Sequence, residues 1–395
     1  MTKFFKKYHL TSFSSEKKVY MTRFQKKRSI MELLLSIILL CLIAFITTLL
    51  IISPGTLKPF VNQSGQPLIG SISEKIFIKI GGVKQGMFIR GKDIKNPVML
   101  FVHGGPSFPE YFLVDKYPVG LEDHFTVCYW EQRGGGISYT PDVTLESMSL
   151  EQLASDAIEV TNYLCDRFNK EKIYIMAHSG GTAFAIQAVE SYPQLFHAYI
   201  GIAQITRQAE SEKLGYKYMM NQYLANGNSR MIAELKKYPI LENDSLILPF
   251  LNSVLRDKSQ HDLGIGTMHN MRSIIKDVFL PVWTCRAYTV KEKFNIWISK
   301  FSFIPKSGLR YQIINLDIPI NVPRLEIPVY FFSGRYDLTV NKDLSKEYLK
   351  KIEAPVKGFY TFNESAHSPM FEEPQKLKEI LIKDVLNRST TLADK

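Results

Sequence analysis

KIYIMAHSGGTAFAIQA, residues 172–188, reads as a buried strand, a tight turn at Ser179 and then a helix. Residues 173–177 are apolar without alternation, the pattern of a strand covered on both faces. Ala177, Gly180 and Gly181 crowd the serine with small groups. A sharp strand-to-helix turn requires them, because larger side chains collide where the backbone folds back. Such a turn presents one hydroxyl at the carboxyl end of a sheet, where a weakly acidic serine becomes an accessible nucleophile.

A serine hydroxyl needs a base at neutral pH, the base needs an orienting carboxylate, and the oxyanion needs donors. IPVYFFSGRYDLTV, residues 327–340, supplies the carboxylate: an apolar run at 329–332 opens at Ser333 and Gly334 into a loop carrying Asp337. Asp317 and Asp343 are rivals, but neither follows a strong apolar strand. KGFYTFNESAHSPMFEEP, residues 357–374, supplies the base, with a strand at 359–362 and His367 in the loop beyond. His124, His261 and His269 precede the acid and fit the order poorly. The oxyanion donors are expected after an earlier strand, in VMLFVHGGPS, residues 98–107. There the amide of Gly104 or Gly105 would act with that of Gly180, each worth roughly 100- to 1000-fold in turnover. His103 and His178 read as packing or hydrogen-bonding residues. Arg133, in a glycine-rich turn, reads as a brace between loops rather than a carboxylate binder.

HGGPS, EQRGGGIS (131–138), AHSGG, SGRYD and SAHSP, in that order, resemble the motifs of prolyl-iminopeptidase-like serine hydrolases of the α/β-hydrolase superfamily. The resemblance covers residues 76–207 and 325–387. Ala177 replaces the first elbow glycine, Ser107 the last glycine of the family's HGGPG, and Glu131 the aspartate of its DQRG. Gly180 stands where these peptidases often carry tryptophan, which removes a wall from the pocket. The resemblance implies an α/β-hydrolase fold, no metal or organic cofactor, and release of an N-terminal residue, often proline, from short peptides. A buried substrate ammonium then needs carboxylates in the cap. Glu210 and Glu212 in QAESEK, with Glu292, are the candidates for substrate binding. The Trp-x-x-Trp-Glu pattern associated with prolyl specificity is missing, and PVWTCRAY (281–288) echoes it only in part. Peptide, amide and ester substrates all stay open.

Residues 33–52 are almost unbroken apolar, the length of one bilayer-spanning helix. Residues 1–30 carry nine Lys or Arg against one acid, Glu16, so most of the chain's net charge of +11 lies there and the rest is only mildly basic. That pattern speaks of membrane topology and not of nucleic acid. The positive-inside rule puts the tail in the cytoplasm and the hydrolase outside, as a single-pass protein of the cell membrane. A cleaved signal peptide is disfavoured by the length of the run and a poor cleavage site in ISPGT; Met21 and Met31 are alternative starts to Met1. Cys41, Cys128, Cys165 and Cys285 have no metal-binding or disulfide-framework spacing.

The expected organisation is a basic tail over 1–32, an anchor over 33–52, and a Pro- and Gly-rich tether over 53–72. A mostly parallel sheet with helices on both faces follows, in 73–206 and 324–390. An inserted helical cap over 207–323, rich in Tyr, Met, Phe and Trp, would cover Ser179. The function expected is a membrane-anchored serine hydrolase acting through an acyl-enzyme, aminopeptidase-like on short peptides or amides. An esterase of small acyl substrates and a non-catalytic ligand-binding module are the alternatives. Epoxide hydrolase or dehalogenase chemistry is disfavoured, because those relatives place aspartate at the elbow.

Overall fold

A computed structural model describes residues 5–271 and 273–395, with the side chains of 5–19 and 22–25 left out. The Lys3, Lys6, Lys7, Lys17, Lys18 and Arg23 side chains of the basic tail therefore lie outside the described residues, as does Met1. The chain divides into two units, Met1–Ile52 and Ser53–Lys395. The first is a helix over Phe5–Ile51, and within its segment Lys26–Ile51 an 18-residue stretch has a mean hydropathy of 3.0. At about 1.5 Å per residue it is long enough to cross a bilayer core. Length and composition suit a membrane anchor and a secretion signal alike.

The second unit is built on one sheet. Its strands are β1 (Ile72–Ile80), β2 (Val83–Gly91), β3 (Val98–Val102), β4 (Thr126–Glu131), β5 (Ile173–His178), β6 (Phe196–Ile202), β7 (Val329–Gly334) and β8 (Lys357–Phe362). They lie in the order β1-β2-β4-β3-β5-β6-β7-β8. β1 and β2 form an antiparallel hairpin about Gly81 and Gly82, and β2 pairs antiparallel with β4. All pairings from β4 through β8 are parallel. Every residue of β3, β4, β5 and β7 is buried, which is why these strands read as continuous apolar runs. Alternate side chains feed two cores. Leu100, Ile175 and Phe331 face one, with the helices Leu150–Phe168 and Thr182–Ser191; Met99, Met176 and Phe332 face the other.

Between Ile202 and Val329 the described residues contain no strand of the sheet, only helices from Gln208–Ala225 to Ile318–Asn321. This insertion has its own apolar cluster, including Tyr216, Met219, Tyr223, Leu235 and Phe250. The stretch read as a tether is laid against the body. The Gly55 and Thr56 amides donate to the Arg286 carbonyl at 3.1 and 3.2 Å, and Leu57 packs on the second core. Pro and Gly keep this stretch from forming a helix, and its backbone groups take partners from the cap instead.

One buried ion pair ties the sheet edge to the helices. Arg133 donates to both oxygens of Asp156 at 2.5 and 2.7 Å and to the Gly81 carbonyl at 3.0 Å. Gln85 and Gln152 donate to the same carboxylate. Ser149 caps the helix at the Gln152 amide, but the Gln152 side chain goes to Asp156, so a capping box is only half made. Asp156→Ala would strand a fully buried guanidinium, a loss of about 3–5 kcal/mol. Urea unfolding of the two proteins measures it, and a loss below about 1 kcal/mol would remove the pair from the list of structural supports.

Candidate active site

Ser179 sits between β5 and the helix Thr182–Ser191 with a φ of 50°, a left-handed conformation that non-glycine residues adopt rarely. The turn that holds it there needs Gly181: a Cβ at that position would fall 2.4 Å from the His103 carbonyl and 2.8 Å from that of Val102. The end of β3 thus packs directly on the elbow. The geometry aims the Ser179 hydroxyl at His367, whose Nε2 lies 2.7 Å from Oγ. His367 Nδ1 lies 3.0 Å from Asp337 Oδ2. Asp337 is buried, and its other oxygen accepts the amides of Thr339 and Val340, both at 2.9 Å. Those two bonds fix the carboxylate plane. The loops after β5, β7 and β8 therefore converge at one rim of the sheet.

The loop after β3 closes the other side. A Cβ on Gly180 would lie 3.2 Å from the Gly105 nitrogen and 3.1 Å from that of Pro106, so the elbow and the glycine loop are in contact. The Gly104 amide donates to Glu110 Oε1 at 3.2 Å. Of the two expected alternatives in this loop, the Gly105 amide is the one for which no protein acceptor competes among the bonds described. Gln132 braces the loop, accepting the Ser107 amide at 3.0 Å and donating to the His103 carbonyl. His103 accepts the Gln132 amide at Nε2 and faces the Gly104 carbonyl through Nδ1. Burial lowers its pKa to about 4, which keeps the ring neutral.

Glu110 went unnoticed in the sequence. Its Oε1 lies 2.7 Å from His178 Nδ1, and His178 Nε2 lies 2.9 Å from the His367 carbonyl. Both ring nitrogens thus face acceptors. Burial opposes the imidazolium, but the Glu110 carboxylate outweighs it and raises the His178 pKa. Burial likewise opposes the Glu110 carboxylate, and His178 lowers its pKa nonetheless. The pair links the glycine loop, the elbow and the His367 loop. A Cβ on Gly104 would lie 2.9 Å from Ser179 Cβ and 3.1 Å from Glu110 Oε1, so this carboxylate is a close neighbour of the serine. Among the described residues its Oε2 has no hydrogen-bond partner. A carboxylate directly after an apolar Phe108-Pro109 step was the available signal.

The three cap glutamates are all engaged. Glu212 is buried and takes Arg256 in a two-bond pair at 2.8 and 2.6 Å. Glu292 closes a capping box with Thr289 and pairs with Lys75 at 2.6 Å. Glu210 is half exposed, pairs with Arg207 at 3.0 Å and lines a surface hollow with Lys213 and Asp317. A substrate ammonium at any of them would compete with a basic side chain. Among the described residues no group of three or more His, Cys, Asp or Glu is arranged to hold a metal ion.

Glu131, at the end of β4, is wholly buried and accepts the Tyr288 hydroxyl and the Ile137 amide. Burial pushes its carboxyl up to about 8, against the pull of those donors. In the unfolded chain the same group titrates near its ordinary value of 4.5. The folded protein therefore keeps a proton that the unfolded chain has released. This contribution to stability is complete below the ordinary value and is lost as pH rises through the folded one. Stability of the native protein is expected to fall as pH rises from about 4.5 to about 8 and to level off above, and Glu131→Gln to flatten that slope. Equal slopes in both proteins would show that Glu131 ionises normally.

A sequence profile described as the alpha/beta hydrolase fold matches residues 97–374. The chain belongs to the α/β-hydrolase family. It is 32% identical over 305 residues to the probable aminopeptidase YbaC of Bacillus subtilis, covering 75% of this chain and 91% of that one. It is 24% identical over 299 residues to a proline iminopeptidase of Saccharolobus solfataricus, covering 72% and 84%. Among solved structures, proline iminopeptidase of Mycobacterium smegmatis aligns with a TM-score of 0.58 at 10% identity, over 80% of this chain and 98% of that one. VinJ gives the same score at 13% identity and the same coverage. At those identities the likeness is one of fold. By these relatives the chain is a prolyl-iminopeptidase-like member of that family.

Proposed function

We propose that this chain is a serine hydrolase in which Ser179 attacks a carbonyl and forms an acyl-enzyme. His367 takes the serine proton and passes it to the leaving group, and water then resolves the ester. Asp337 holds the imidazole with Nδ1 protonated and stabilises the imidazolium. The amides of Gly105 and Gly180 receive the oxyanion. The observation that carries this reading is the continuous hydrogen-bond chain from Ser179 through His367 to Asp337 at the strand ends.

The substrates are short peptides or aminoacyl amides, a reading that rests on the names of the two relatives. Residues 33–52 anchor the enzyme in the cell membrane, with the basic tail cytoplasmic and the hydrolase outside. A second reading, an esterase of small acyl substrates, is favoured by one observation: each expected ammonium-binding glutamate already has a basic partner.

Aminoacyl p-nitroanilides, their N-acetylated forms and simple p-nitrophenyl esters separate the two. An aminopeptidase prefers the free amine by about 100-fold or more in kcat/KM, because a site built for an ammonium is left with an unpaired charge by the acetylated form. Equal rates on free and acetylated substrates, or turnover of esters alone, favour the esterase. No turnover, and no fluorophosphonate adduct on Ser179 in folded protein, favours a binding module.

A further inference from the structure

The cap carries an aromatic face that the chemistry above does not use. Ile275, Phe279, Leu280, Phe294, Ile298 and Phe301 are all exposed, at 43–68% of their surface. Ring contacts join the aromatic ones through Trp283 and Trp297. Phe279 lies 6.1 Å from Trp283 and 5.4 Å from Trp297, Trp283 lies 5.0 Å from Phe294, and Trp297 stacks on Phe301 at 5.9 Å. Contiguous apolar patches of this kind mark contact sites, unlike scattered exposed leucines.

Two observations say what covers it. The first is the path of the chain. Residues that directly follow the apolar helix are fixed at the edge of this face. Lys293 Nζ donates to Ser53 Oγ at 2.8 Å and to the Trp283 carbonyl at 2.7 Å, and Pro54 bridges to Thr289. The helix ends at Ile51, so covalent connection alone keeps this face within a few residues' reach of whatever that helix crosses. The second is charge. Residues 273–310 hold seven Lys or Arg against two acids. Both acids are already paired with lysines from elsewhere, Asp277 with Lys116 and Glu292 with Lys75. Lys276, Arg286, Lys291 and Lys306 are exposed. Aromatic and aliphatic side chains framed by basic ones are the composition of surfaces that bed in an anionic bilayer interface.

We propose that this face of the cap lies in the headgroup layer of the membrane that holds the anchor, with its rings at the acyl boundary and its lysines on lipid phosphates. The proposal rests on the anchor reading above. The same cluster reaches the catalytic loop: Phe108, three residues past Gly105, lies 6.3 Å from the Trp297 ring and under the Lys300 ammonium at 4.3 Å.

Tryptophan fluorescence tests it, because Trp283 and Trp297 belong to the face and the third tryptophan, Trp130, is buried in the sheet. The full chain is reconstituted into phosphatidylcholine–phosphatidylglycerol vesicles with plain or brominated acyl chains. Bromine is expected to quench the emission about twofold. Phe279→Ser, Phe294→Ser and Phe301→Ser together should restore most of it, with turnover of a water-soluble substrate retained as proof of folding. Equal emission in both lipids from protein that resists alkaline carbonate overturns the docking face and leaves the anchor standing. Extraction by carbonate sinks the anchor instead. The body from Ser53, which contains every core residue described, is then mixed with the same vesicles; quenching sustains the docking face without an anchor, and its absence overturns it. Self-association of the body that the triple variant abolishes, with no lipid quenching, assigns the face to a second copy and overturns the proposal as well.

Discussion

Ser179→Ala is expected to lower kcat by about 10⁶-fold while leaving the fold intact. The substitution removes one hydrogen bond, the one to His367, and changes nothing in the strained turn, since alanine meets the same backbone restriction at φ 50° as serine. Thermal unfolding should therefore move little. KM should also change little, because every other wall of the site stays in place. What remains is stabilisation of the oxyanion by backbone amides, enough for about 10³- to 10⁴-fold over water. His367→Ala is expected to cost nearly as much, and the double variant scarcely more than either, because an alcohol without its base and a base without its alcohol are equally idle. Fluorophosphonate labelling should disappear in both single variants. Losses that multiply in the double variant would mean that the two side chains act independently. Retained turnover in Ser179→Ala would end the serine-hydrolase reading outright.

How much of the structure is legible in the sequence follows from the range of the interactions. The strands that carry the site are short apolar runs, and burial on both faces leaves that mark in any sequence. The turn at Ser179 shows itself in small residues because β3 presses on it, as the carbonyls of Val102 and His103 beside Gly181 demonstrate. Between Ile202 and Val329, where the described residues form helices and no strand of the sheet, the sequence lacks the strand–helix rhythm. Ion-pair partners leave no such local trace. Glu212 finds Arg256 across 44 residues of sequence, and Glu292 finds Lys75 across 217. A glutamate near the start of a helix looks the same whether it waits for a ligand or for an arginine. Glu110 was hidden for the opposite reason. It looks like a loop charge, and only the approach of His178 from the next motif gives it a role. The docking of 53–56 on the cap was equally hidden, since a Pro- and Gly-rich stretch has the same composition whether it lies on a surface or runs free.

Asp337→Asn is expected to lower kcat by about 10⁴-fold, through the tautomer of His367 rather than through lost structure. Asp337 Oδ1 accepts two backbone amides, from Thr339 and Val340. An asparagine must keep its carbonyl oxygen there, because turning its NH2 group toward two N–H donors would leave both amides unpaired in a buried site. The NH2 group then occupies the place of Oδ2 and points its hydrogen at His367 Nδ1. That nitrogen must become the acceptor, so the ring proton moves to Nε2, facing Ser179 Oγ. A protonated Nε2 cannot take the serine proton, and general-base catalysis stops with every heavy atom near its native position. Nitrogen chemical shifts of His367 should report the exchanged tautomer directly. The stability change should stay small, since all the backbone bonds survive. A kcat within tenfold of the native value, with the tautomer exchanged, would show that His367 is not the base.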